Sequence, residues 1–179
     1  SKPWFYPLPV LIIGTYGEDG TPDAMNAAWG GLYDSDKVVL CLSAGHKTTA
    51  NIRARGAFTL SFADAGHVVA ADYVGLVSAN REPRKLEKSG FHTSRSRHVD
   101  APLIDELPVA LECKLIKVNE DGNIIGQIVN VSVDEAVLAG DGGIDFDKFR
   151  PIAFEPARNG YHVLGERVGS AFRDGAALD

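Results

Sequence analysis

Short apolar runs alternate with clusters of turn-forming residues over most of this chain. Val10 to Tyr16 is β-rich and apolar, a turn cluster follows around Asp19, Gly20 and Pro22, and a second extended stretch continues, so the segment predicts a hairpin. Lys37 to Ser43 ("KVVLCLS") predicts a third strand, and its unbroken apolar character predicts burial on both faces. Ala57 to Asp64 ("AFTLSFAD") alternates as a fourth. Leu107 to Leu138 holds two long alternating runs joined around Glu120 to Asn123, where Asp121-Gly122 is a strong hairpin signal. Two short strands flank Asn159-Gly160, and a turn or helix is expected near the C-terminal end.

Helical spacing is confined to short insertions. Thr48 to Arg55 predicts a helix stopped by Gly56, with Arg53 and Arg55 placing positive charge in its last turn. His67 to Ser78 spaces Val68, Ala71, Val74 and Gly75 on a helical period, and Pro83 to Lys88 allows a third, shorter helix. Many β-runs with short helices between them predict a mainly β, antiparallel barrel or sandwich with helical insertions rather than alternating βαβ units. Periodicity leaves barrel and sandwich both open, although a closed barrel would remove exposed strand edges.

Composition narrows the picture. A chain of 179 residues that is 45% hydrophobic fits a single domain over residues 1–179. Its 24 acidic residues against 18 basic ones argue against a nucleic-acid partner, whose phosphates call for a basic face, and favour a small-molecule ligand. No apolar run approaches the roughly 20 residues of a membrane span, and the N-terminus lacks the pattern of a signal peptide, so no membrane partner and a cytoplasmic location are expected. Cys41 and Cys113 lie inside apolar runs and read as buried small hydrophobes, with neither a disulfide nor a metal site expected. Glu112, Asp134 and Glu135 read as acids on solvated strand faces, and His92 and His98 as surface residues without a visible partner.

Candidate chemistry concentrates in two stretches. "SAGHKTTANIRARG", Ser43 to Gly56, leaves an apolar strand and gathers polar groups at a helix start. Free backbone N–H groups and the helix dipole stabilise an anion there. Thr48 and Thr49 can donate to phosphate oxygens, Gly45 lets the backbone come close, and Lys47 supplies a full charge; an ordinary hydroxyl N-cap is the competing reading. In "AMNAAWGG", Asn26 and Trp29 interrupt a run of small residues on an expected strand. Small side chains leave room for a flat ring, whose amide edge Asn26 can pair and against which Trp29 can pack; alternatively, Trp29 is core.

Together these stretches resemble the flavin reductase-like family of FMN-binding split barrels, the flavoredoxin-type members in particular. "PLPVLIIGTY", "AMNAAWGG", "VVLCLSAGHKTTANI", "AFTLSF", "ADYVGLVS", "VDAPLIDELPVALECKLIKV" and "YHVLGERVGSAF" occur in the family's order, from about Pro9 to Phe172. The resemblance implies a split β-barrel. It implies that Asn26, Ala27, Ala28 and Trp29, with the Leu42-Ser43 turn, lie along the isoalloxazine ring. It implies that His46, Lys47, Thr48, Thr49 and Asn51 hold the FMN phosphate and ribityl chain, and that the protein is a homodimer with flavin near the subunit interface. Lys85, in the one basic island of an acidic chain, stands where related chains often carry a lysine and is a further candidate for the phosphate, against a solvated loop as the plain alternative.

With FMN bound, the reactive chemistry would belong to the cofactor, so no nucleophile, triad or paired carboxylate is expected. The resemblance implies an oxidoreductase that moves electrons from NAD(P)H or a reduced partner protein to an acceptor. Many family members that use NAD(P)H carry a histidine shortly before a glycine in the strand matching "NEDGNIIGQIVNV". Here Asp121, Gly122, Asn123, Ile124 and Ile125 precede Gly126, which favours an electron carrier without direct NAD(P)H use.

Overall fold

A computed structural model describes residues 4–178, and antiparallel pairing organises them. The strands are β1 (Leu8–Pro9), β2 (Leu11–Tyr16), β3 (Pro22–Ala27), β4 (Gly30–Asp34), β5 (Lys37–Leu40), β6 (Ala57–Phe62), β7 (Thr93–Arg95), β8 (Pro102–Ile104), β9 (Val109–Val118), β10 (Ile124–Val133), β11 (Ile152–Glu155) and β12 (Gly160–Val163). The α-helices are α1 (Lys47–Arg55), α2 (Val68–Leu76), α3 (Lys85–Ser89) and α4 (Phe146–Phe149). Seven strands form one curled sheet in the order β3-β2-β6-β9-β10-β5-β4. Its two outer strands, β3 and β4, are consecutive in the chain and joined only through Ala28 and Trp29. The single extended stretch expected there is thus two strands, one at each edge of the sheet.

Two apolar layers explain the long hydrophobic run at the start of the chain. Side chains alternate across a strand, so Leu11 and Ile13 enter the inside of the curl with Leu40, Ile52, Phe58 and Leu60. Val10 and Ile12 face the other way, against Ala71 and Val74 of α2, Phe91 and Ile152. A strand covered on both faces reads as continuous apolar sequence. Burying each such side chain contributes about 1.5–3 kcal/mol. β2 and β3 pair from Leu11 with Ala27 to Tyr16 with Pro22, the expected hairpin. β9 and β10 form the second long one.

α1 ends where its sequence predicts. Gly56 takes a left-handed conformation with φ 66° and its N–H donates to the Ile52 carbonyl, a geometry that glycine adopts without steric cost. α2 and α3 fall within or beside their expected segments.

Four expectations are corrected. β5 ends at Leu40 and alternates between half-buried and buried positions, because the helices pack on β2, β3 and β6 rather than on its outer face. Cys41, just past that strand, is consequently exposed, whereas Cys113 is buried. Glu112 is 1% exposed rather than solvated: the turn after Ser96 folds over this part of β9, and Ser96, Asn130 and Ser132 all donate hydrogen bonds to the carboxylate. His92 does have a partner, its Nδ1 lying 2.6 Å from Glu106 Oε1, a contact brought together across 14 residues by the β7–β8 hairpin.

Candidate functional site

The site begins with the edge of the sheet. β3 pairs with β2 on one side, and among the described residues no strand pairs with its other side, so part of its backbone hydrogen-bonding capacity faces outward. α2 packs beside this edge. A cavity of about 580 Å³ opens there, within the size range of small-molecule sites. Asp23 and Met25 reach it from β3, His46, Lys47 and Thr48 from the start of α1, and Val74 to Arg81 from the end of α2 and the loop beyond.

Lys85 lies at this cavity too, and it is buried rather than on a solvated loop. It is 3% exposed and Asp23 is 4% exposed. Lys85 Nζ sits 3.0 Å from Asp23 Oδ1, yet Oδ1 has no aligned hydrogen-bond donor. The ammonium's other contact is a long donation of 3.5 Å to the Val74 carbonyl. Thr48 Oγ1 donates to Asp23 Oδ2 at 3.4 Å. Asp23, Lys85 and Thr48 therefore form one buried polar group on the cavity wall, held by contacts that are long or unaligned.

The helix start beside them carries no side-chain cap. The N-cap residue is His46, whose side chain makes no capping hydrogen bond, and the first turn holds no acidic residue. The hydroxyl-cap reading of the threonines thus gives way: both lie inside the helix, and Thr49 Oγ1 donates to the Ser43 carbonyl at 2.8 Å. An N-terminus of this kind, with Lys47 in its first turn, favours an anion.

A smaller recess of about 200 Å³ adjoins the cavity and shares Gly75 and Leu76 with it. Asn26, Ala28, Asp72, Phe154 and Tyr161 complete its lining. Asn26 Nδ2 donates to the Ala71 carbonyl at 3.0 Å, which ties β3 to α2 and leaves the amide oxygen as the free acceptor. Tyr161 donates to Asp72 Oδ1 at 2.7 Å. Burial first, then the Asp72 hydrogen bond and charge, push the Tyr161 phenol up to about 12, so it remains a proton donor at neutral pH.

The residues singled out from sequence divide into groups. His46, Lys47, Thr48 and Lys85 converge on the large cavity, and Asn26 and Ala28 on the recess. Ala27 and Leu42 pack in the apolar layer inside the curl. Ser43 is exposed, and Trp29 is 61% exposed, so Trp29 is not core. Thr49 and Asn51 turn inward, the latter donating to Thr15 Oγ1 at 3.0 Å. Sequence reasoning missed Asp23, Asp72 and Tyr161. Asp23 looks like part of the "GEDGTPD" turn, and only its two-residue offset from Met25 on a strand marks it as facing the cavity.

Comparisons with known proteins agree with this fold. A family model described as "Flavin reductase like domain" matches residues 5–154. The flavoredoxin of Desulfovibrio vulgaris (Miyazaki F) is 37% identical and superposes with a TM-score of 0.94, covering 98% of this chain and 96% of that one. A flavoredoxin from Methanosarcina acetivorans is 28% identical at a TM-score of 0.88, over 98% and 94%. An FMN-binding domain of a flavin reductases-like enzyme from Shewanella baltica OS155 shares the fold at a TM-score of 0.81 and 22% identity, over 90% and 88%. The chain spans 38% and 45% of the lengths of two curated relatives it matches, uncharacterized proteins of Aquifex aeolicus and Aeropyrum pernix. With a family model covering most of its length and its curled seven-stranded sheet shared with split-barrel proteins, the chain belongs to the flavin reductase-like domain family.

Proposed function

We propose that this chain is an FMN-binding oxidoreductase that passes electrons from NAD(P)H or a reduced partner protein through the flavin to an acceptor. The observation that carries the reading is the convergence of Lys47, Thr48 and the buried Lys85 on one cavity, at a helix start without side-chain cap or acid and beside an unpaired strand edge. These residues suit a phosphate: the Lys47 ammonium, the Lys85 ammonium beside Asp23, a hydroxyl and the backbone N–H groups of the helix start supply donors at one cavity. Bound FMN would supply hydride and single-electron chemistry at its ring. The chain's own part is to bind and orient. Lys47, Thr48 and Lys85 fix the phosphate end, with His46, Thr49 and Asn51 shaping the helix start around it. The strand from Asn26 through Ala27 and Ala28 to Trp29, with the Leu42-Ser43 turn, would run along the ring through its backbone, since Ala27 and Leu42 turn their side chains into the core. Asn26 offers its amide oxygen to a ring N–H.

A homodimer completes the proposal. Trp29, Leu32 and Tyr33 are large side chains exposed close together at the β4 edge, which suits a surface covered by a second subunit near the flavin.

A second reading, an electron carrier of flavoredoxin type without direct NAD(P)H use, is favoured by the absence of a histidine in the residues before Gly126. One experiment separates the two. FMN-loaded, desalted protein is followed anaerobically by its visible spectrum before and after NADH plus NADPH. Rapid bleaching of a retained flavin band supports the NAD(P)H-dependent oxidoreductase. A retained band that bleaches only with dithionite supports the carrier, and no retained band refutes tight FMN binding.

A further inference from the structure

Among the described residues, the large cavity is lined by Lys47, Arg81 and Lys85, but by only one carboxylate, that of Asp23. A buried carboxylate is an unexpected wall for a site that takes a phosphate. Its position is specific: Oδ1 lies 3.0 Å from the Lys85 ammonium and Oδ2 accepts from Thr48, so Asp23 engages two of the groups that would otherwise face the ligand. Lys85 cannot escape to solvent, since its side chain is almost wholly enclosed. A buried ammonium without an anion is strongly disfavoured, so some anion has to stand beside it whether the cavity is filled or not.

We propose that Asp23 is the internal counter-anion of the phosphate cradle and a specificity-determining residue for the flavin. This rests on the FMN reading above. A ligand phosphate competes with Asp23 for Lys85 and Thr48, and it meets the repulsion of the carboxylate at the same time. Asp23 therefore lowers the share of flavin affinity that comes from the phosphate, and with it the preference for FMN over riboflavin. The contact geometry fits an exchangeable partner: the ion pair is close but unaligned, and the threonine bond is long.

The test compares FMN and riboflavin binding to apo-protein by flavin fluorescence, in wild type and Asp23→Asn. Asparagine keeps the shape and removes the charge. The expected result is that FMN tightens while riboflavin is unchanged, raising the ratio of the riboflavin dissociation constant to that of FMN by roughly tenfold or more. A ratio that stays the same or falls, with flavin still bound, overturns the role of Asp23 and leaves FMN binding intact. A wild-type protein that binds neither flavin overturns the FMN reading itself. A structure of the wild-type FMN complex gives a test that does not depend on the variant folding. Lys85 Nζ within hydrogen-bond distance of a phosphate oxygen supports the competition, and Nζ on Asp23 with no phosphate oxygen in reach overturns it.

Discussion

Replacing Lys85 by methionine probes the buried pair through the stability of the apo-protein, independently of any ligand. The substitution keeps most of the apolar stem and removes the ammonium, leaving the Asp23 carboxylate 4% exposed with Thr48 Oγ1 at 3.4 Å as its remaining side-chain donor. Breaking one half of a buried ion pair costs about 3–5 kcal/mol, because the surviving charge has lost its partner without regaining water. At about 2–4 °C per kcal/mol for a domain of this length, Tm should fall by roughly 10 °C. Removing both charges in Asp23→Leu/Lys85→Met leaves no orphan, and such replacements are neutral or stabilising in other buried pairs. The double variant should therefore be more stable than Lys85→Met alone. The assay is reversible thermal and urea unfolding of all four proteins in a double-mutant cycle. A Tm for Lys85→Met within about 2 °C of wild type, or additive losses in the double variant, would refute the burial and coupling of this pair.

Two further expectations follow from the barrel wall. Burial pushes the Glu112 carboxyl up, but the hydrogen bonds from Ser96, Ser132 and Asn130 together outweigh it and hold it below the usual carboxylate range. A carboxylate depressed in the folded state adds stability that is present above its unfolded pKa, about 4.3, and is lost as pH falls through the folded value. Glu112→Gln should thus lower stability by about 1–2 kcal/mol at pH 7 and by progressively less in acid, measured as urea midpoints from pH 7 to pH 3; an equal loss at every pH would contradict the reading. Burial first, then the neighbouring Glu112 charge, push the Cys113 thiol up to about 12, while Cys41 is exposed. An aromatic disulfide reagent should therefore titrate one thiol in the native protein and two after denaturation, and rapid reaction of two native thiols would show that the core around Cys113 opens.

Much of the fold was legible because its signals are local. The β2–β3 turn, the Asp121-Gly122 hairpin and the Gly56 stop each rest on a few neighbouring residues whose backbone preferences agree with the final structure. The site was legible where a single element builds it: His46, Lys47 and Thr48 sit together because they open one helix. Cys41 and Glu112 were misplaced because burial depends on what covers a strand, and nothing in "KVVLCLS" or "VALECKLIKV" says that helices pack elsewhere or that the Ser96 turn folds over.

Local signals were enough for the β2–β3 and β9–β10 hairpins, β6, helices α1 to α3 and the polar start of α1, since periodicity and turn chemistry act within a few residues. That β3 and β4 become opposite edges of one curled sheet depends instead on pairing between distant segments, which sets the strand order. The same long-range packing buried Lys85 against Asp23, 62 positions away in the chain, and set Tyr161 on Asp72 across 89 residues. A charged side chain in a polar segment is ordinarily solvated. Enclosure by α2, α3 and β3 is what turns this one into a buried ion pair beside a cavity.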